Sequence, residues 1–295
     1  MRVVLITGSS TGIGLATALH FARKGDAVYA GVRHPETAIE LTRAVADERL
    51  PITPVTLDVT DDDSVRRGVG EVTRQAGRID VLVNNAGIGG GASIEEVPLA
   101  RAKQAFETNY FGAIRLIQAV LPTMRAQRAG TIVNVSSVAG RVAYAAHGHY
   151  SASKHALEAA SEILAQEVRA FNIRVAIIEP GVILTPIFAK GQQARESAPP
   201  NPLSALYADH ARRLWMFYQK QLQQPTLPAA VAEVIEHAVT TEHPQLRYLV
   251  GEDARVLVKG RQETTDEEWV ENGRPMTDEE YFDAMCQRYG VDLYR

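Results

Sequence analysis

Val3-Val4-Leu5-Ile6-Thr7-Gly8-Ser9-Ser10-Thr11-Gly12-Ile13-Gly14 decides the fold. Four consecutive apolar residues are the pattern of a short strand buried on both faces. Three glycines follow, and then an apolar periodicity through Ala16, Leu19 and Ala22 that stops near Lys24-Gly25, so the turn opens a helix. Glycines let backbone approach a pyrophosphate, while a helix N-terminus offers free N–H donors and the positive end of its dipole. The spacing is G-x-x-x-G-x-G rather than the usual dinucleotide G-x-G-x-x-G, and no lysine follows as in a Walker loop. A glycine-rich turn without a ligand is the alternative.

The same alternation continues outward. Ala27 to Val32, Ile52 to Leu57, Ile79 to Val83, Gly130 to Val135, Ile173 to Ile178 and Leu246 to Val250 read as further strands. Helical stretches separate them, among them residues 36–48, a helix from Asp61, and a long one from Leu99 to Arg125. Strands alternating with helices at this spacing predict parallel βαβ units with right-handed crossovers. The expected fold class is α/β: a doubly wound Rossmann-type three-layer sandwich of about seven parallel strands, spanning residues 1–251. Two regions depart from the alternation. Residues 188–228 hold Pro199-Pro200-Asn201-Pro202 and then a bulky stretch with Leu206, Tyr207, Leu214, Trp215, Phe217 and Tyr218. Residues 252–295 form a charged extension, with a helix expected from Thr277-Asp278-Glu279-Glu280. It packs on the domain or on a partner subunit.

Ligands of open α/β sheets bind beyond the carboxyl ends of the strands, and the unusual polar residues fall there. Asp58 ends the third strand, Asn84-Asn85-Ala86-Gly87 the fourth, Ser136-Ser137 the fifth and Glu179-Pro180-Gly181 the sixth. Tyr150 and Lys154 lie one turn apart on one helix face. An ammonium beside a phenol favours the phenolate, and a phenol so tuned can exchange a proton with an alcohol or ketone. An amphipathic helix on which the two merely neighbour each other is the other reading of that pair alone.

Taken together, Thr7-Gly-x-x-x-Gly12-Ile13-Gly14, Asn84-Asn85-Ala86-Gly87, and Tyr150-x-x-x-Lys154 with Ser137 thirteen residues before the tyrosine resemble the short-chain dehydrogenase/reductase family. Asn109 in Thr108-Asn109-Tyr110-Phe111-Gly112 and Pro180-Gly181 with Thr185 match it as well, and the resemblance spans about residues 2–250. It implies an oxidoreductase passing a hydride between a nicotinamide and a ketone or secondary alcohol. Tyr150 is then the acid/base. Lys154 lowers its pKa and bonds the nicotinamide ribose, Ser137 bonds the substrate oxygen, and Asn109 holds a relay water. A purely structural hydrogen bond from Asn109 inside its helix stays open. Gly8, Ser10, Thr11, Gly12, Ile13 and Gly14 cradle the pyrophosphate, with Asp58 and Val59 at the adenine and Asn85, Ala86 and Gly87 at its ribose. Pro180, Gly181, Ile183 and Thr185 flank the carboxamide. Asp58 serves equally to cap the next turn.

The second strand ends Gly31-Val32-Arg33-His34, with no acid to bind a ribose 2′-OH. Arg33 can bind a 2′-phosphate instead, with His34 beside it, so NADP(H) is expected over NAD(H); a solvated surface arginine is the alternative. Residues 188–228 stand where the family keeps its substrate lid. Their apolar content, with Val142, Tyr144 and Phe188 as wall, leans toward a steroid-, retinoid- or polyketide-like carbonyl, while core or subunit interface explains it equally. His147 and His149 are read as rim or loop residues. A non-catalytic NADP-binding regulator is the rival, which loss of Ser137, Tyr150 or Lys154 would favour; all three are present.

Composition bounds the remainder. The chain has 295 residues, 45% hydrophobic and 22% charged, with net charge −4 and no basic stripe, so nucleic acid is not the expected partner. Cys286 is the only cysteine, which excludes an intrachain disulfide, and no spacing suggests a metal site. No apolar run approaches a membrane span, and the chain enters its first strand without a signal-peptide pattern. The expectation is a cytoplasmic protein, a homodimer or homotetramer by the resemblance.

Overall fold

The computed structural model describes residues 1–196 and 201–295; the Pro199-Pro200 pair lies outside the described residues. Seven parallel strands form one sheet in the order β3-β2-β1-β4-β5-β6-β7. They are β1 (Val3–Thr7), β2 (Ala27–Val32), β3 (Ile52–Thr56), β4 (Val81–Asn84), β5 (Gly130–Val135), β6 (Ile173–Pro180) and β7 (Arg247–Val250). The winding reverses between β1 and β4, which opens a crevice at their carboxyl ends. Side chains alternate across the sheet. Val4 and Ile6 join one apolar layer with Phe21, Leu41 and Ile235, whereas Val3 and Leu5 join the other with Val69, Leu116 and Leu164. Each such side chain, once buried, stabilises the fold by about 1.5–3 kcal/mol.

The helices are α1 (Gly12–Arg23), α2 (Ile39–Glu48), α3 (Asp62–Ala76), α4 (Leu99–Phe106), α5 (Gly112–Gln127), α6 (Gly148–Glu167), α7 (Pro186–Glu196), α8 (Ala208–Gln221), α9 (Pro228–Thr240), α10 (Glu252–Gln262), α11 (Asp266–Val270) and α12 (Asp278–Tyr289). The expected single helix from Leu99 to Arg125 is interrupted. Residues Glu107–Phe111 form a π-helical turn around Asn109. Periodicity misses this because a π turn adds one residue without changing composition. Asn109 explains it physically. Its Oδ1 accepts the Ile88 N–H at 2.8 Å and its Nδ2 donates to the Ile88 carbonyl at 3.0 Å, so the turn widens where this side chain grips the loop after β4.

The last 44 residues build a third apolar cluster with α8 and the turn after β5. Leu257, Phe282, Met285, Tyr289, Leu293 and Tyr294 pack with Phe217 and Val142. α12 starts at Thr277, whose hydroxyl accepts the Glu280 N–H while the Glu280 carboxylate accepts the Thr277 N–H, a reciprocal cap. Arg212 and Arg213 of α8 both bind Asp278 at 2.8 and 2.9 Å, and Arg213 also donates to the Met276 carbonyl at 2.6 Å. The two guanidiniums, Arg212 first, hold the Asp278 carboxyl down at about 2. A depressed carboxyl stabilises the fold above its ordinary value of 3.8 and loses that contribution as pH falls through about 2. Acid titration followed by the emission of Trp215 and Trp269 is expected to show a transition in that window, and Asp278→Asn should remove it; an unchanged transition would show that the clamp does not matter.

Candidate active site

Strand ends and the loops after them enclose one cavity of about 1190 Å³. Its floor at the β1–β4 crevice is tied by side chains. Thr7 Oγ1 accepts the N–H groups of Asn85 and Ala86, both at 3.0 Å, and Asn85 Nδ2 donates to the Thr7 carbonyl at 2.9 Å. Gly8 and Gly12 take left-handed φ values of +69° and +60°, a conformation open to glycine at little cost. A Cβ at Gly14 would stand 2.3 Å from the Gly8 carbonyl oxygen. The first turn of α1 has neither an acidic residue nor a side-chain cap on its N–H groups. This glycine cradle with an uncapped helix start therefore fits a pyrophosphate.

Ser10, Thr11, Gly12, Ile13, Arg33, Asp58, Val59, Asn85, Ala86 and Gly87 line one half of the cavity, and Pro180, Gly181, Ile183 and Thr185 line its junction with the other. Arg33 is exposed at the rim. His34 is not brought in: it is exposed, starts a 3-10 turn and lies 3.4 Å from Glu36. Asp58 reaches the cavity, but its Oδ1 already accepts from Thr60 N and Oγ1 at 2.9 and 2.8 Å. The turn-capping role left open in the sequence is thus present, while the cap of α3 itself is Asp61. Asn84 joins β4 to β5 through Asn134 at 2.8 Å.

Ser137, Tyr150 and Lys154 meet on one wall. Ser137 Oγ accepts the Ala139 N–H at 3.1 Å, which caps a 3-10 turn over Val138–Gly140 and fixes the hydroxyl beside the tyrosine. Lys154 Nζ donates to the Val135 carbonyl at 2.8 Å and stands 5.8 Å from the centre of the Tyr150 ring. Burial lowers the ammonium to about 8, opposed by the charge of Glu158. Burial also pushes the Tyr150 phenol up, with the Ser137 hydroxyl drawing it down. The net lowering of Tyr150 expected from the spacing of Lys154 is not found: burial raises the phenol, and the Ser137 hydroxyl is what opposes it. Asn109 donates to Ser153 Oγ at 3.0 Å as well as to Ile88, so both Nδ2 hydrogens are used. A water held by Asn109 would need the second lone pair of Oδ1 or the backbone.

The other half of the cavity is apolar and aromatic. Tyr144, Phe188, Leu214, Trp215, Phe217 and Tyr218 line it. Val142, taken from the sequence as wall, is instead fully buried in the third apolar cluster, because its N–H returns to the Val138 carbonyl and turns it inward. Tyr144 does line the cavity and reaches the Tyr289 hydroxyl at 3.0 Å, linking the wall to α12.

Two further residues bear on the site: His147, read from the sequence as a rim or loop residue, and Asp253, which was not foreseen. His147 lines the cavity with its ring 5.1 Å from that of Tyr150, and its Nε2 lies 2.9 Å from Tyr218 Oη. Burial holds its imidazole down at about 4, so it is neutral at physiological pH. Its partner is 71 residues away, which no local spacing reveals. Asp253 accepts the Val182 N–H at 2.7 Å and packs where a Cβ at Gly181 would stand 2.2 Å from its carboxylate. It therefore fixes the Pro180-Gly181 loop from outside the cavity. Glycines at 181 and 251 around an acid at 253 were the available signal. Among the described residues no three His, Cys, Asp or Glu side chains converge as a metal site, and no helix is long and apolar enough to cross a membrane.

Comparison with known proteins agrees with this geometry. The chain is 38% identical to retinol dehydrogenase 8 of Bos taurus over 259 residues, covering 83% of this chain and 80% of that one. It is 35% identical to a 3-ketodihydrosphingosine reductase of Bacteroides thetaiotaomicron over 256 residues, covering 87% and 90%. The crystal structure of a short-chain dehydrogenase from Streptomyces avermitilis superposes with a TM-score of 0.78 at 37% identity, covering 92% of this chain and 95% of that one. The sequence profile described as short chain dehydrogenase matches residues 2–196. The chain is an oxidoreductase that belongs to the short-chain dehydrogenase family, whose fold binds a nicotinamide cofactor.

Proposed function

We propose that this oxidoreductase uses NADP(H) to interconvert a bulky, mostly apolar ketone and its secondary alcohol. The observation that carries the proposal is one cavity lined by the glycine cradle, by Ser137, Tyr150 and Lys154, and by an aromatic cluster of Tyr144, Phe188, Trp215, Phe217 and Tyr218. When bound, the nicotinamide supplies or takes the hydride. Tyr150 Oη donates a proton to the oxygen that becomes an alkoxide, or removes it in the reverse direction. Ser137 Oγ hydrogen-bonds that oxygen and favours its developing charge. Lys154 would hold the cofactor ribose, and its ammonium favours loss of the Tyr150 proton. The aromatic side chains exclude water from the reacting carbon and accept the apolar remainder of the substrate.

The named substrates of two relatives, a retinol and a 3-ketodihydrosphingosine, are long and lipophilic, which supports the same class here. The test is oxidation of NADPH with a panel of ketones of increasing apolar size. Turnover that rises with size supports the reading, and cofactor binding without turnover across the panel would leave the non-catalytic alternative. Family likeness also makes pairing of two copies our expectation, through the faces that expose Phe111 and Ile163.

Arg33 carries the preference for NADP(H), since a charge-assisted bond to a phosphate contributes about 1.5–3 kcal/mol. Arg33→Asp replaces that bond by repulsion, and the ratio of kcat/KM for NADPH over NADH is expected to fall by about 100-fold or more. An unchanged ratio in paired steady-state assays would make Arg33 a surface residue only.

A further inference from the structure

Two acids lie buried beneath the active site, and the reaction above does not use them. Glu158 stands one turn after Lys154 on α6, and Glu179 sits near the end of β6, 5% and 1% exposed respectively. Both converge on Arg247 of β7. Its Nε is 3.1 Å from Glu158 Oε2 and 3.3 Å from Glu179 Oε1. Arg141 adds a contact to Glu179 Oε1 at 3.0 Å, while the other arm of Arg247 reaches out to Glu162 at 2.9 Å. The remaining oxygens, Glu158 Oε1 and Glu179 Oε2, are buried without a well-formed hydrogen bond among the described residues, although the Ser136 hydroxyl lies beside Glu158. Such orphaned acceptors are costly, and a proton on the pair converts one of them into a donor. Gly140 seats this group against the catalytic wall: a Cβ there would meet Ser136 Oγ at 2.7 Å, Glu158 Cγ at 2.9 Å and the Lys154 carbonyl at 3.2 Å.

We infer that Glu158 and Glu179 form one buried protonatable pair that sets the electrostatic field at Lys154, which makes both positioning residues for the reaction. The groups around Glu158 are Lys154 and Glu162 on α6, Ser136 after β5, Arg141 after the 3-10 turn, Glu179 on β6 and Arg247 on β7. Burial first, and the Glu179 charge after it, push the Glu158 carboxyl up to about 7, against Ser136 and Arg247. The sign follows. Below that value Glu158 is neutral. As pH rises through it, Glu158 ionises one turn from Lys154 and supports the ammonium, which with that support is lost only at about 8.

The inference rests on the proposed role of Lys154, and its test separates the two. Profiles of kcat/KM against pH are measured for Glu158→Gln, Glu179→Gln and Glu162→Gln with saturating NADPH. Glu158→Gln removes the anion beside Lys154, so the alkaline limb should move to lower pH by about one unit. Glu179→Gln removes the repulsion that helps keep Glu158 protonated, so the titration of Glu158 should move to lower pH while the alkaline limb, where Glu158 is already ionised, does not rise. Glu162→Gln, on the exposed arm of Arg247, should leave it in place. A merely structural role would not shift the limb selectively in Glu158→Gln, and a limb of Glu158→Gln coincident with that of the wild type would overturn the inference. Infrared spectroscopy supplies a readout independent of turnover. The wild-type protein at about pH 6 should show a carboxylic-acid C=O stretch that disappears toward about pH 8 and is missing in Glu158→Gln; its persistence in that variant would overturn the inference even if no ketone were turned over.

Discussion

Tyr150→Phe is expected to lower ketone turnover by about 10²–10⁴-fold, the usual contribution of a positioned general acid, while NADPH still binds. The change removes one oxygen and keeps the ring. Packing of that ring against His147 at 5.1 Å is therefore retained, and the fold should not suffer. Burial already pushes the phenol up, so the neutral, proton-bearing form is the one present at neutral pH in the reducing direction. That form donates without further preparation. In the oxidising direction the same burial opposes the base, and Lys154 must supply the bias. Activity in the oxidising direction should thus rise with pH more steeply than activity in the reducing direction. NADPH fluorescence titration and single-turnover absorbance at saturating cofactor measure the two halves of the claim. Turnover of Tyr150→Phe within about tenfold of the wild type would remove Tyr150 from the chemistry.

How far the sequence carried depends on whether the cause is local. The strands were readable because a parallel strand covered on both faces must be apolar throughout, as Val3–Ile6 and Val81–Val83 are. Gly8 and Gly14 were readable because backbone crowds the place of a side chain, and Gly12 because its φ of +60° favours glycine; their spacing records both. Ser137, Tyr150 and Lys154 were readable through two fixed intervals. What was not readable depends on distant partners. The π turn at Asn109 follows from two hydrogen bonds to Ile88, 21 residues away. Val142 looked like pocket wall from its place after Ser137, but the 3-10 turn at Val138–Gly140 rotates it into the third cluster. The direction of the Tyr150 shift was misjudged for a related reason. Spacing reports the charge of Lys154, whereas desolvation depends on everything that covers the pair. The role of residues 252–295 lay furthest out of reach, since Tyr289 meets Tyr144 across 145 positions and Asp278 meets Arg213 across 65.

Gly14→Ala is the second large effect. The added methyl would stand 2.3 Å from the Gly8 carbonyl oxygen, 2.5 Å from Asn85 Nδ2 and 2.8 Å from the Gly8 carbonyl carbon. None of these can swing aside. Two belong to backbone, and the Asn85 amide is held by the Thr7 carbonyl at 2.9 Å. Either α1 slides away from the β1 turn or the turn opens, and both displace the N–H groups aimed at the pyrophosphate. Overpacking of this kind costs about 1–3 kcal/mol in stability. The cost to the cofactor should be larger, because every phosphate contact of the cradle shifts together: NADPH affinity is expected to fall by about 100-fold or more, near 2.7 kcal/mol. Gly70→Ala is the matched control. Gly70 lies on the exposed face of α3 with nothing within 4 Å of a new Cβ, so alanine there should stabilise by about 0.5–1 kcal/mol through helix propensity and leave NADPH affinity alone. Calorimetric titration of both variants decides the matter. Equal NADPH affinity in the two would show that the crowding at Gly14 is relieved without moving the cradle, and the pyrophosphate would then have to be held elsewhere.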